Sequence, residues 1–176
     1  KMCLRSEVII PLVSNIRVDT SSLTQPSSAT GETMNCCCCC ASSVIKATVS
    51  VPRTGWSPGE TIPVKVDVDN KVDYKYKNYS VSIAVKKERC IARDDGSAYS
   101  YDCTFDDVVT KVIDSSIKPK SKYSKTVKIK VPRALLPSLG LDVGRIVKLE
   151  YFVVLAVSEA ILQVRVPIVI GSTPYV

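Results

Sequence analysis

Five consecutive cysteines, Cys36 to Cys40, are the densest run of chemistry-bearing side chains, and Cys3, Cys90 and Cys103 complete a set of eight. Cys36, Cys37, Cys39 and Cys40 have the spacing of thiolate zinc ligands, and a four-sulfur zinc site needs no histidine. That spacing arises automatically in any run of five, so it selects only weakly for metal. S-acylation sites lie beside a membrane helix or amphipathic segment, and none accompanies this run. Neighbouring cysteines in an extended chain point to opposite faces, whereas a disulfide needs Cβ atoms about 4 Å apart. The run therefore reads as thiols in a reducing, cytosolic compartment, alternate sulfurs packing as small apolar groups at the lead-in to a strand. The alternative reading is a thiolate zinc-binding or redox-regulated interaction domain.

Histidine is absent altogether. That removes the common general base and the common activator of serine and cysteine nucleophiles, so Ser-His and Cys-His hydrolases are excluded. The acid pairs Asp94-Asp95 and Asp106-Asp107 are adjacent in sequence and splay apart if extended, which does not make a converging acid/base couple. Asp94-Asp95-Gly96 reads as a hairpin tip. No glycine loop that would cradle phosphate is present, so the chain is expected to be no enzyme and to carry no cofactor.

Charge is distributed unevenly. Lys118, Lys120, Lys122, Lys125, Lys128, Lys130 and Arg133 supply seven positive charges with no acid between them, the whole of the net +7. Such a stretch suits an anionic lipid surface or an acidic partner segment, at about 1 kcal/mol per basic residue beside a charged membrane. Equally, alternate lysines are the wet face of a strand and protect an edge from pairing. Nucleic acid fits poorly, because aromatics are missing from the run apart from Tyr123 and no base-reading motif occurs.

The elements that must position these residues have period two. In "TIPVKVDVDN" Ile62, Val64, Val66 and Val68 share one face while Lys65, Asp67 and Asp69 share the other, the mark of a half-buried strand. The alternation recurs through Ile45 to Val51, Tyr79 to Val85, Val127 to Val131 and Leu162 to Ile168. "RIVKLEYFVVLAV" turns apolar on both sides, as a central strand does. A further strand is expected near Ser6 to Val13, about eight in all, and the only hint of helix is a turn around Arg133 to Leu139. Residues 17 to 35, "RVDTSSLTQPSSATGETMN", have the composition of a flexible loop. The 176 residues, 45% apolar, suffice for one domain spanning 1–176. Strands joined by short turns without helices give an all-β antiparallel sandwich of immunoglobulin-like form. No stretch reaches the roughly 18 apolar residues of a membrane helix. The chain begins on Lys1 and is expected to be part of a longer protein.

Three stretches carry a family resemblance: "VIKATVSVPRTGWSPGETIPVKVDVDN", "VKIKVPRALLPSLGLDVGRIVKLEYFVVLAV" and "VRVPIVIGSTP". In this order and spacing they resemble the C-terminal domain of arrestin-fold proteins, most closely the α-arrestins. In the first, Trp56, Pro58, Gly59 and Glu60 match the family's turn between two strands, and Gly59 would supply the positive φ of a type II turn. The resemblance implies an adaptor or scaffold without catalysis. It implies binding to cytoplasmic segments of membrane receptors or transporters, in ubiquitin-dependent endocytic trafficking, at the cytoplasmic side of plasma membrane and endosomes. It also implies an N-terminal arrestin half elsewhere in the parent chain. HECT ubiquitin ligases bind the family through Pro-Pro-x-Tyr tail motifs, and Thr173-Pro174-Tyr175 is not one. A thioredoxin-binding cysteine known in one branch has no counterpart, since no cysteine follows Cys103.

Overall fold

A computed structural model describes residues 16–35, 43–76, 79–92, 99–113, 116–139, 147–157 and 162–172. Nine strands are found among them: β1 (Ser27–Asn35), β2 (Ser43–Val51), β3 (Gly55–Trp56), β4 (Thr61–Asn70), β5 (Tyr79–Ala92), β6 (Tyr99–Ile113), β7 (Ser121–Lys130), β8 (Val147–Val157) and β9 (Leu162–Ile170). One sheet has the order β1-β2-β4-β7, the other β3-β9-β8-β5-β6. All pairings are antiparallel except that of β3 with β9.

The alternation read from the sequence is the alternation of burial. Ile62, Val64, Val66 and Val68 of β4 are buried against Val81, Ile83 and Val85 of β5, Val153 and Leu155 of β8 and Val164, Val166 and Ile168 of β9. Each such side chain withdrawn from water contributes about 1.5–3 kcal/mol before the entropy of ordering is counted. β8 is the central strand expected from its two-sided apolar run: Val154, on the outward face, is only 6% exposed. The strand expected near Ser6 to Val13 lies outside the described residues.

The expected loop over residues 17–35 is corrected. Ser27–Asn35 is a strand whose nine residues pair without interruption, from Ser27 opposite Val51 to Asn35 opposite Ser43. Its composition hid it because its outward residues meet water and its inward ones are small. Gly31 lies so close to β9 that a Cβ there would stand 2.9 Å from Val164 Cγ2. Backbone ladder bonds and the Thr30–Thr48 hydroxyl contact of 2.9 Å hold β1 in place of apolar bulk. Upstream, the Leu23 carbonyl accepts the N–H groups of Thr54 and Gly55, which fastens that turn over β3.

Trp56-Ser57-Pro58-Gly59-Glu60 makes the expected tight turn. Gly59 has φ 90°. The Glu60 N–H donates to the Ser57 carbonyl at 3.1 Å, and the Glu60 carboxylate accepts the Ser57 N–H at 2.7 Å and pairs with Arg53 at 2.7 Å. The Arg53 guanidinium in turn lies 4.4 Å from the Trp56 ring centre.

Beyond Tyr151 opposite Ile168, β8 and β9 separate. Ser138 and Leu139 sit between them. The Ser138 N–H donates to the Ile170 carbonyl and Ser138 Oγ accepts the Ile170 N–H, both at 2.8 Å, while Leu139 and Leu149 exchange backbone bonds of 3.1 and 2.9 Å. The expected turn around Arg133 to Leu139 is thus a single turn closed by Leu135 N–H on the Pro132 carbonyl, followed by this wedge. The Tyr151 hydroxyl donates to the Leu136 carbonyl at 2.8 Å, and burial pushes its pKa up to about 12.

Candidate interaction surface

The basic stretch covers β7, the edge strand of its sheet, with Lys118 and Lys120 just before it and Arg133 just after it, and its environment divides it in two. At one end Asn70, fully buried, donates from Nδ2 to the carbonyls of Tyr74 and Lys118, both at 2.9 Å, and accepts the Val72 N–H at 3.0 Å. This pins the hairpin that carries Lys118 and Lys120. Lys120, in the left-handed region at φ 45°, pairs with Asp73 at 2.7 Å. Lys122 stands opposite Asp69, which stands opposite Lys46, which stands opposite Glu32. The outer face therefore carries a row of alternating charge across all four strands. In the next row Asp67 faces Ser124, whose hydroxyl, helped by Lys65 at 3.2 Å, holds the Asp67 carboxyl below its ordinary value despite some desolvation.

At the other end Lys125, Lys128, Lys130 and Arg133 have no carboxylate within ion-pair distance among the described residues. Lys128 and Lys130 point outward opposite Pro63 and Thr61, which bring no charge. Lys125 shares the inward side with Val66 yet is exposed, because β7 is the last strand of its sheet. Arg133 lies over the Pro58-Gly59 turn, its Cγ 3.5 Å from where a Gly59 Cβ would stand. Lys111 joins from β6: its ammonium donates to the Lys128 carbonyl at 3.2 Å. Sequence reading missed Lys111, since nothing in its own neighbourhood says that its side chain reaches the β7 backbone.

The outward face of the second sheet is closed on itself. Lys86 and Lys148 alternate with Glu88 and Glu150 across β5 and β8: Lys148 lies 2.8 Å from Glu150 and 3.8 Å from Glu88, and Lys86 contacts both acids. The Lys86 ammonium beside it holds the Glu88 carboxyl below the usual range. Phe105 and Phe152 approach to 6.0 Å, with the Arg165 guanidinium 4.5 Å from the Phe105 ring centre.

The acid pair Asp106-Asp107 splays as expected. Asp106 pairs with Lys87 at 2.9 Å and Asp107 accepts the Ser82 hydroxyl at 3.0 Å on the opposite face. Asp94-Asp95-Gly96 lies outside the described residues, between the paired ends Ala92 and Tyr99 of β5 and β6. The zinc candidates Cys36, Cys37, Cys39 and Cys40 also lie outside them, in the connection between β1 and β2. Cys103 is a free, exposed thiol on β6. Among the described residues no helix is long and apolar enough to cross a membrane.

The arrangement offers faces and edges for contact, and comparison with known proteins agrees with that. The family model for the arrestin (or S-antigen) C-terminal domain matches residues 41–175. No curated protein matches the chain. Among solved structures the chain is similar to the sporulation control protein Spo0M from Bacillus subtilis, with a TM-score of 0.56 and 15% identity over 74% of this chain and 50% of that one. At that identity the likeness shows the fold alone, and the chain spans about half the length of Spo0M. The two sheets, the Trp56 to Glu60 turn and the match over residues 41–175 lead to one statement: the chain belongs to the arrestin (or S-antigen) C-terminal domain family.

Proposed function

We propose that this domain is the C-terminal half of an α-arrestin-type adaptor, one domain spanning the chain beside an N-terminal arrestin half in a longer parent. Arrestin-type domains are protein-interaction adaptors without catalysis, which supplies the general reading. The finer reading is that it docks on cytoplasmic segments of membrane receptors or transporters during ubiquitin-dependent endocytic trafficking, peripheral to plasma membrane and endosomes. A HECT ligase would be recruited by tail motifs of the parent.

The observation that carries the reading is the group Lys111, Lys125, Lys128, Lys130 and Arg133, cations of two edge strands with no acid beside Lys125, Lys128, Lys130 or Arg133 among the described residues. Cations left unpaired along one flank attract an anionic surface, and the attraction fades within a Debye length. Lys118, Lys120 and Lys122 contribute less, because Asp73 and Asp69 already face two of them.

Sedimentation with phosphatidylcholine vesicles containing or lacking phosphatidylserine tests this. Replacing Lys125, Lys128 and Lys130 with glutamine removes about 3 kcal/mol of attraction, roughly a hundredfold in partition at low salt. The same exchange at Lys118, Lys120 and Lys122 changes it several-fold less. Equal effects from the two triples would overturn the assignment.

A further inference from the structure

Among the described residues the sandwich has several strand edges, and all but that of β1 are guarded. β7 turns Lys125 toward its inner side, and β6 does the same with Lys111, which stands opposite the buried Val81. β6 also bulges: Ile83 faces Val109 and Ala84 faces Asp107, so Val108 is passed over. On β9 the stretch not paired with β3 carries Pro167, which has no N–H to offer. The two residues of β3 are covered by the turn at Leu23. Inward charges, bulges, prolines and covered edges are the devices by which sheets avoid taking on a further strand.

β1 has none of them. Its nine residues keep one register with β2, contain no proline and direct no charge inward. Among the described residues no backbone hydrogen bond is made to its free side. Ser27, Ala29, Gly31 and Thr33, on the inward side, are only half-buried, beside Leu162 and Val164 of β9. The outward row that runs Lys122, Asp69, Lys46, Glu32 alternates in sign and stops on an acid at this edge.

From this we infer that the free edge of β1 is a strand-addition site for an extended segment of a partner protein, with small or apolar residues at alternate positions and a lysine or arginine beside Glu32. Backbone hydrogen bonds supply the binding and the alternate side chains supply selectivity. The added strand completes burial of the Ala29–Gly31 row, and its cation continues the alternating row. A second copy of β1 would bring no cation to Glu32, so the charge pattern favours a different chain. The site is on the opposite flank from the basic group and does not depend on it.

The probe is a fluorescent peptide with the sequence of β2, Ser-Val-Ile-Lys-Ala-Thr-Val-Ser-Val, which already matches β1 in register on its paired side, Lys46 opposite Glu32 and Ala47 opposite Gly31. Titrated into the full chain, it should bind saturably and slow hydrogen exchange at β1 amides. Exchanging its lysine for glutamate should weaken binding about two- to thirtyfold, since an opposite pair becomes a like pair. Ala29→Lys installs the guard found on β7 and should abolish binding; Thr33→Lys does the same nearer the strand end, should Ala29→Lys fail to fold by thermal melt. Outward Ser28→Lys should leave binding within about twofold, as a change that touches only the wet face. The inference is overturned if the peptide fails to bind. It is equally overturned if binding survives both inward lysines, if protection appears on β6, β7 or β9, or if sedimentation shows the chain self-associating through β1.

Discussion

Removing the Asn70 side chain is the sharpest test of how the basic hairpin is held. Asn70 ends β4 with no exposed surface and makes three hydrogen bonds, to Val72 N–H, Tyr74 C=O and Lys118 C=O. In Asn70→Ala the Val72 N–H, on a residue itself buried, loses its partner, at a cost of about 1–3 kcal/mol. The Lys118 carbonyl keeps the Ser121 hydroxyl at 2.7 Å, and Tyr74 is exposed enough for its carbonyl to meet water, so each adds only about 0.5–1 kcal/mol. The total is about 3 kcal/mol, which for a chain of this size lowers the melting temperature by roughly 6–12 °C. Urea titration followed by circular dichroism gives the free energy. Amide exchange gives the location: Tyr76, Ile117 and Lys120, whose N–H groups bond across the pinned loops, should lose protection before the β4–β5 core does. Asn70→Asp should be least harmful in acid. A buried carboxyl facing two carbonyls has its folded pKa raised, so its neutral, hydrogen-bonding form persists below the unfolded pKa and stability is lost as pH rises. A loss under about 1 kcal/mol in Asn70→Ala, or exchange that is unchanged at those three amides, would refute the reasoning.

Three further outcomes follow from the geometry. Gly59→Ala places a Cβ at φ 90° and should cost about 1–2 kcal/mol, read as a shift in urea midpoint without change in slope. Gly31→Val should cost about 1–3 kcal/mol because its side chain meets Val164, whereas Gly31→Val combined with Val164→Ala should recover part of that loss in the same assay. Asp67 contributes stability that is present above the ordinary carboxyl value of 3.8 and lost as pH falls through its lowered folded value, so Asp67→Asn should narrow the difference in stability between about pH 7 and about pH 2.

What could be read in the sequence was whatever burial had written on one side of a strand. Ile62, Val64, Val66 and Val68 alternate with charged residues because one side of β4 is core and the other water. Gly59 announced its turn because few other residues adopt its backbone. β1 was illegible because strand identity there rests on backbone pairing and on smallness against Val164, which composition reads as a loop. β6 was nearly so: as an edge strand it exposes residues on both sides, and its bulge at Val108 breaks the period. The lysine run was legible as charge, but its division was not, since Asp73 and Asp69, which face part of it, come from segments about 50 residues earlier. Lys111 entered the group only through the reach of its side chain to the β7 backbone.

The wedge of Ser138 and Leu139 makes two strands share one fate. Ile170 and Leu149 belong to different strands, and each hands its N–H to the same two-residue piece. Should that piece lift, both amides are released in a single event, and the seam between β8 and β9 opens like a clasp from its parted end toward Tyr151 and Ile168. Their exchange with solvent is therefore one clock with two hands.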